Sequence, residues 1–178
     1  MIRKTFSAIL LLCVAVVSAH ADSFSTQEYQ IKAAFLYNFA KFIEWPFEAQ
    51  RTSSNVFVIG IYGPDPFGAD IDELLKDETI NNLPVAVKRF KDIQSVDCHI
   101  LFITVEDPKQ LHEAIEGLQG KSILTVGQGE NFIKSGGMIA FYIEDEKVRF
   151  EINKNVTDKS GLQISSQLLK LAKIAKDS

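Results

Sequence analysis

The sequence predicts an α/β fold, a three-layer sandwich built on a mostly parallel sheet of about six strands. Two continuous apolar runs, NVFVIGIYG at 55–63 and CHILFITV at Cys98–Val105, are typical of strands buried on both faces. Segments with helical character alternate with the strands, which indicates βαβ units and a largely parallel sheet. Near the C-terminus two strands follow each other through a tight acidic turn, which predicts an antiparallel hairpin at one edge.

The first helix is predicted within EYQIKAAFLYNFAKFIEWP, Glu28–Pro46, and Pro46 ends it. One face is apolar, and the opposite face lacks the basic residues that membrane-surface helices use. We therefore expect the helix to pack on its own sheet, and Trp45, just past it, either fills the core or lies partly exposed. The apolar stripe consists of Ile31, Phe35, Leu36, Phe39, Phe42 and Ile43.

The remaining elements follow from apolar patterns bounded by turn residues. Right-handed crossovers with one change of winding direction predict the strand order 2-1-3-4-5-6, with the last two strands antiparallel. The predicted strands are 55–63, Pro84–Phe90, Cys98–Val105, Ser122–Val126, Met138–Ile143 and Lys147–Asn153. The later predicted helices are Phe67–Lys76, one that opens at Asp107-Pro108 and ends near Leu118, Glu130–Lys134 and Ser165–Lys176.

Residues 1–21 have the features of a secretory signal peptide. A positive N-terminal region precedes a short apolar run, Ile9–Val17, and the triplet Ala19-His20-Ala21 matches a cleavage site. Cleavage there leaves residues 22–178, which we expect to form a single domain with 17 basic and 23 acidic residues, a formal net charge of −6. This charge does not suit a nucleic-acid partner, and no later run is apolar enough to span a bilayer. We expect an exported protein without direct membrane insertion after cleavage.

The sequence contains no pattern of catalytic, cofactor-binding or metal-binding residues, so we expect no enzyme. His99 follows Cys98 on a predicted strand, so their side chains point to opposite faces and cannot form a base–nucleophile pair or share a metal. The other histidine of the mature chain, His112, lies on a predicted helix. Glycine-rich turns at 60–68 and 127–129 could present N–H groups to a phosphate, but ordinary strand-to-helix turns also explain them.

Cys98 is the single cysteine left after signal cleavage, so no internal disulfide can form in the mature chain. Its apolar neighbours favour a buried structural thiol. A reactive or intermolecular thiol is the alternative.

The sequence resembles the YfiR family of exported bacterial proteins in three segments: KAAFLYNFAKFIEWP, GGMIAFYIEDEKVRFEIN and GLQISSQLLKLA. The resemblance implies a periplasmic regulator that binds the periplasmic portion of an inner-membrane diguanylate cyclase. It implies that the protein inhibits this enzyme, which keeps cyclic-di-GMP low and represses biofilm formation. Family members proposed to respond to redox state carry cysteine pairs, which this mature chain lacks. Besides the complex with the cyclase, the sequence leaves open whether the protein forms a homodimer.

The resemblance points to the C-terminal block, Gly136–Ala172, as the partner surface. The second hairpin strand has one polar face, and the segment after it sets apolar residues beside serines, a combination found at reversible interfaces. An ordinary solvated strand face, with the apolar residues packed in the core, is the alternative. The predicted interface residues are Arg149, Glu151, Asn153, Leu162, Ile164 and Ser165.

A second function stays open, a periplasmic small-ligand-binding module without catalytic activity. Such a module would use the turns at the carboxyl ends of the parallel strands. A deep pocket lined by Gly63, Asp65 and Gly127 would favour it, whereas a membrane cyclase partner would favour the regulator. A hydrolase or transferase is disfavoured because no base–nucleophile pair is found.

Overall fold

The computed structural model describes residues 26–50 and 55–176, so the predicted signal peptide lies outside the described part. Eight strands form one sheet in the order β3-β4-β2-β5-β6-β7-β8-β10, and β1 pairs with β9 separately. In chain order the strands are β1 (Ile43–Glu44), β2 (Phe57–Tyr62), β3 (Thr79–Ile80), β4 (Leu83–Phe90), β5 (Ile100–Ile103), β6 (Leu124–Gln128), β7 (Ile139–Glu144), β8 (Lys147–Ile152), β9 (Gln163–Ile164) and β10 (Lys173–Ile174).

The predicted fold class is confirmed. The five strands β4, β2, β5, β6 and β7 run parallel to one another, and β8 returns antiparallel to β7. These six are the predicted strands, and they lie in the predicted order 2-1-3-4-5-6. The two-residue strands β3 and β10 extend the two edges, so neither β4 nor β8 is the outermost strand.

Six α-helices are found in the described residues. Three of them begin at a capping side chain, which accepts a hydrogen bond from a backbone N–H of the first turn. Asp107 accepts from Gln110, Asn153 from Val156 and Ser165 from Leu168. The helices are α1 (26–42), α2 (Asp70–Leu75), α3 (Pro108–Gly117), α4 (Gly129–Lys134), α5 (Lys154–Lys159) and α6 (Ser166–Leu171).

The predicted last helix, Ser165–Lys176, is wrong in its second half. Helix α6 ends at Leu171, Ala172 is extended, and β10 then pairs in parallel with the outer side of β8. The N–H of Ala175 donates to the Ile152 carbonyl at 2.9 Å. The free edge of β8 offers backbone hydrogen bonds that a continued helix could not make, and such unpaired edge groups favour an added strand.

Helix α1 packs on its own sheet, as predicted. Phe39 stacks on Phe141 with ring centres 5.7 Å apart and meets the edge of the Phe150 ring at 5.0 Å. Such aromatic pairs add about 0.5–1.5 kcal/mol each beyond the area they bury. The buried stripe is turned relative to the prediction, because Ile31 is 40 % exposed while Lys32 is buried.

The core has two parts, one on each side of the sheet, which makes the three layers. Helices α1, α2 and α6 cover one face, and Trp45 joins that core with its ring edge-on to Phe57. Helices α3 and α4 cover the other face, where Phe132 of α4 packs among buried residues of the central strands.

Candidate functional site

A polar surface lies on the outer end of the sheet, on the face of β7 and β8 opposite α1. We call it the C-terminal face and define it by Tyr142, Arg149, Glu151 and Lys173. Tyr142 and Arg149 are directly opposite each other in the β7–β8 register. The Lys173 ammonium donates to a Glu151 carboxylate oxygen at 3.1 Å and lies 5.7 Å from the centre of the Tyr142 ring.

The ion pair on this face is only partly solvated. Glu151 is 13 % exposed, whereas Lys173 is 61 % exposed. The hydrogen bond to Glu151 raises the pKa of Lys173, so the Lys173 ammonium stays charged at neutral pH. Arg149 is exposed beside them, which gives the surface two cations and one anion.

The predicted interface residues divide into a surface pair and four residues with structural roles. Arg149 and Glu151 share the C-terminal face, as the alternation in β8 predicts. The side chains of Asn153 and Ser165 cap α5 and α6. The remaining two residues are Leu162 and Ile164. Ile164 of β9 pairs with Ile43 of β1.

Leu162 is 1 % exposed and belongs to the core that α1 covers, so it offers no apolar anchor at the surface of this chain. Its neighbour Gly161 has a φ of +78° and lies against Pro46, where a side chain would be strained. The segment 161–165 therefore ties α6 to the end of α1.

A second concave region lies at the carboxyl ends of the parallel strands, and we call it the strand-end cleft. It consists of two adjoining hollows of about 740 and 360 Å³ that share Tyr29, Asp65 and Pro66. The larger hollow lies between α1 and α2. The smaller one lies between the turns that follow β2 and β5, with Thr104 and Gln128 in its wall.

A buried lysine, which the sequence reasoning missed, stands behind the wall of this cleft. Lys32 is 1 % exposed, and its ammonium contacts the Glu28 carboxylate and the Gln128 side-chain oxygen. It also lies 4.5 Å from the centre of the Tyr29 ring, whose hydroxyl accepts from the Gln128 amide at 3.1 Å. Burial lowers the pKa of Lys32, and the hydrogen bond to Glu28 opposes that shift. The contact between Lys32 and Gln128 ties the start of α1 to the end of β6.

Asp65 shapes the rim of the cleft. One of its oxygens accepts from the N–H groups of Phe67 and Gly68, and the other accepts from the Arg89 side chain at 2.9 Å. Arg89 also binds Asp72, with its closest contact at 2.6 Å. These bonds raise the pKa of Arg89 and lower that of Asp72. The Arg89 guanidinium is therefore held in ion pairs with the carboxylates of Asp65 and Asp72.

The glycine-rich turns have packing roles. A Cβ at Gly127 would lie 2.3 Å from the Phe132 ring, and one at Gly63 would lie 2.5 Å from the Thr104 hydroxyl oxygen. Both glycines permit a close approach between neighbouring segments. Of the three residues expected to line a deep pocket, only Asp65 lines the strand-end cleft.

The side chains of Cys98 and His99 are held apart on opposite faces of the sheet. Cys98 is a free, buried thiol whose pKa is raised by burial. The Nδ1 atom of His99 accepts from the Val58 N–H at 3.0 Å, and the ring stacks on Phe57. Within 26–50 and 55–176, no three His, Cys, Asp or Glu residues gather to hold a metal ion.

A family model described as YfiR/HmsC-like matches residues 29–173. The chain therefore belongs to the YfiR/HmsC-like family. This family is regulatory, non-catalytic and periplasmic, and it fits a regulator of diguanylate cyclase signalling. In the described part of the chain, no helix has the length and apolar character needed to cross a membrane.

The chain is also similar in structure to a crystal structure of an ABC domain in complex with L-Trp from Streptococcus pneumonia. The sequences are 11 % identical, the match covers 70 % of this chain and 57 % of that one, and the TM-score is 0.49. The chain thus spans little more than half the length of that protein. A likeness of this size has no bearing on function.

Proposed function

We propose that the protein binds the periplasmic portion of an inner-membrane diguanylate cyclase and inhibits the enzyme, which lowers cyclic-di-GMP and biofilm formation. The observation that carries this proposal is the family match over residues 29–173. The protein needs no catalytic group for such a role. It has only to bind the inactive state of the cyclase more tightly than the active state.

We propose the C-terminal face as the contact surface. Arg149 and Glu151 are the predicted interface residues with exposed or partly exposed charge. Tyr142 adds an amphipathic ring whose centre lies 5.7 Å from the Lys173 ammonium. Tyrosine and arginine are enriched where interfaces carry most of their binding energy. In this proposal Asn153, Leu162, Ile164 and Ser165 keep their capping and packing roles and do not touch the partner.

Export is part of the same proposal. Residues 1–21 would be removed as a signal peptide, and residues 22–178 would act in the periplasm as a single domain. N-terminal sequencing of the purified periplasmic protein should begin at Asp22. Retention of Met1 would count against export through a cleaved signal.

The partner is tested by crosslinking in intact cells, purification of the tagged protein from membranes, and mass spectrometry. A membrane diguanylate cyclase should be the enriched partner. Recovery of the protein without any cyclase would contradict the proposal.

The surface is tested by charge reversal. Arg149→Glu should weaken pull-down of the cyclase's periplasmic domain at least about tenfold, because the proposal places Arg149 in the contact, where reversing its charge removes the electrostatic complementarity. Lys109→Glu, at the 85 % exposed Lys109 of α3, is the matched control and should bind as the wild type does. Circular dichroism checks that both variants fold. Wild-type binding by a folded Arg149→Glu protein would remove this face from the proposal.

A further inference from the structure

The strand-end cleft lies at the place where the sheet changes its winding direction. The chain passes from β2 to β4 on one side, and β5 then lies on the other side of β2. Connections that leave in opposite directions open a crevice at the carboxyl ends of two neighbouring parallel strands, and ligands of open α/β sheets bind there. The two hollows, about 740 and 360 Å³, lie within the size range of small-molecule sites.

The lining of the cleft is acidic. Its charged side chains, among the residues that the structure describes, are Asp65, Asp70, Glu73 and Glu106. The nearby cations are already engaged, since Lys32 contacts Glu28 and Arg89 binds Asp65 and Asp72.

In the described part of the chain, neither Glu73 nor Glu106 has a salt-bridge partner. Phosphates and other anions would be repelled from such a surface, and cations would be attracted.

The arrangement of the carboxylates suits an extended organic cation better than a metal ion. No three of the acidic groups described by the structure gather closely enough to hold a metal. Glu73 stands in the larger hollow and Glu106 in the smaller one, and apolar side chains such as Phe67 and Val105 lie in the same lining. A linear ligand with charged ends and a methylene chain would match both features.

We propose that the strand-end cleft binds an aliphatic polyamine. One ammonium group would lie near Glu73 and another near Glu106, with the methylene chain along the Tyr29 ring that the two hollows share. The site does not depend on the cyclase proposal, because binding is measured on the purified protein alone.

The test is isothermal titration calorimetry of the mature chain with spermidine, and 1,8-octanediol serves as an uncharged linear control. Spermidine should bind saturably and more weakly as sodium chloride is raised, because the attraction is ionic. Octanediol and Mg²⁺ should not bind the cleft. Glu73→Gln and Glu106→Gln should each weaken spermidine binding about two- to fivefold, as expected for partly solvated charge pairs.

Glu113→Gln on the exposed surface of α3 is the matched control, since it removes the same charge outside the cleft. It should leave spermidine affinity unchanged. Equal weakening by all three substitutions would mean diffuse attraction to an acidic protein and would overturn the site. So would the absence of saturable binding at millimolar spermidine, or binding of octanediol with the same affinity.

Discussion

Replacing Glu28 by glutamine should destabilise the protein far more than a surface charge change does. The substitution removes the carboxylate that compensates the Lys32 ammonium, which is 1 % exposed. Breaking a buried ion pair from one side costs about 3–5 kcal/mol when both partners are fully buried. Glu28 is 18 % exposed, and Lys32 keeps its contact with Gln128, so we expect a loss of about 2–3 kcal/mol in the free energy of unfolding.

Replacing Lys32 by methionine should be much less harmful. Methionine fills most of the same volume and leaves no buried cation, and Glu28 can turn toward water. The Gln128 oxygen loses one hydrogen bond, worth about 1 kcal/mol. The double variant Lys32→Met/Glu28→Gln should be about as stable as Lys32→Met alone, because Glu28 has nothing left to compensate.

The assay is thermal and urea unfolding of the mature chain. Glu28→Gln should lower the midpoint temperature by roughly 4–12 °C, given about 2–4 °C per kcal/mol for a chain of this size. The matched control is Glu130→Gln, which breaks the exposed i,i+4 pair with Lys134 and should leave the midpoint unchanged, because both of those partners stay hydrated. If Glu28→Gln is as stable as the wild type, or if Lys32→Met is the more damaging change, the reasoning about the buried pair is refuted.

Three further predictions concern buried groups. Burial lowers the pKa of Lys32, so the folded chain binds the proton of this ammonium less tightly than the unfolded chain does. The free energy of unfolding of the wild type, relative to that of Lys32→Met, should therefore rise as pH increases from 7 toward 10. A flat or falling difference between the two proteins in urea unfolding would contradict this prediction. The pKa of Cys98 is raised by burial, so a thiol reagent should label the native protein slowly and the urea-unfolded protein at once, and rapid native labelling would show an accessible thiolate. Gly127→Ala should lower the free energy of unfolding in urea by about 1–3 kcal/mol, because the added Cβ would lie 2.3 Å from the Phe132 ring. A second substitution, Phe132→Leu, should restore part of this stability. No recovery in the double variant would show that the clash is not the cause.

The main features of the sheet could be predicted because they depend on long, regular patterns. Doubly buried strands such as β2 and β5 are continuous apolar runs, and crossover handedness then leaves few possible orders. The strands β3 and β10 have two residues each, too short for any periodicity. They form because β4 and β8 would otherwise leave unpaired edges.

The candidate sites were less predictable, because they depend on which neighbours a polar residue meets. Alternation along β8 placed Arg149 and Glu151 on one face correctly. Lys32 counts as polar in a helical pattern, yet it is buried against Gln128 at the end of β6. Only its i,i+4 spacing from Glu28 could have drawn attention to it. Helix α5 was not predicted, so the role of Asn153 as its N-cap was missed, although asparagine is a common residue at that position.

Measurement of the cyclic-di-GMP concentration in cells tests the proposed inhibition of the cyclase most directly. Deletion of the gene should raise cyclic-di-GMP severalfold, and expression of the full chain should restore the original level. The same chain without residues 1–21 should fail to restore it, because the protein would stay on the wrong side of the inner membrane. Unchanged or lower cyclic-di-GMP after deletion, or full restoration by the form without residues 1–21, would contradict an exported inhibitor of a membrane diguanylate cyclase.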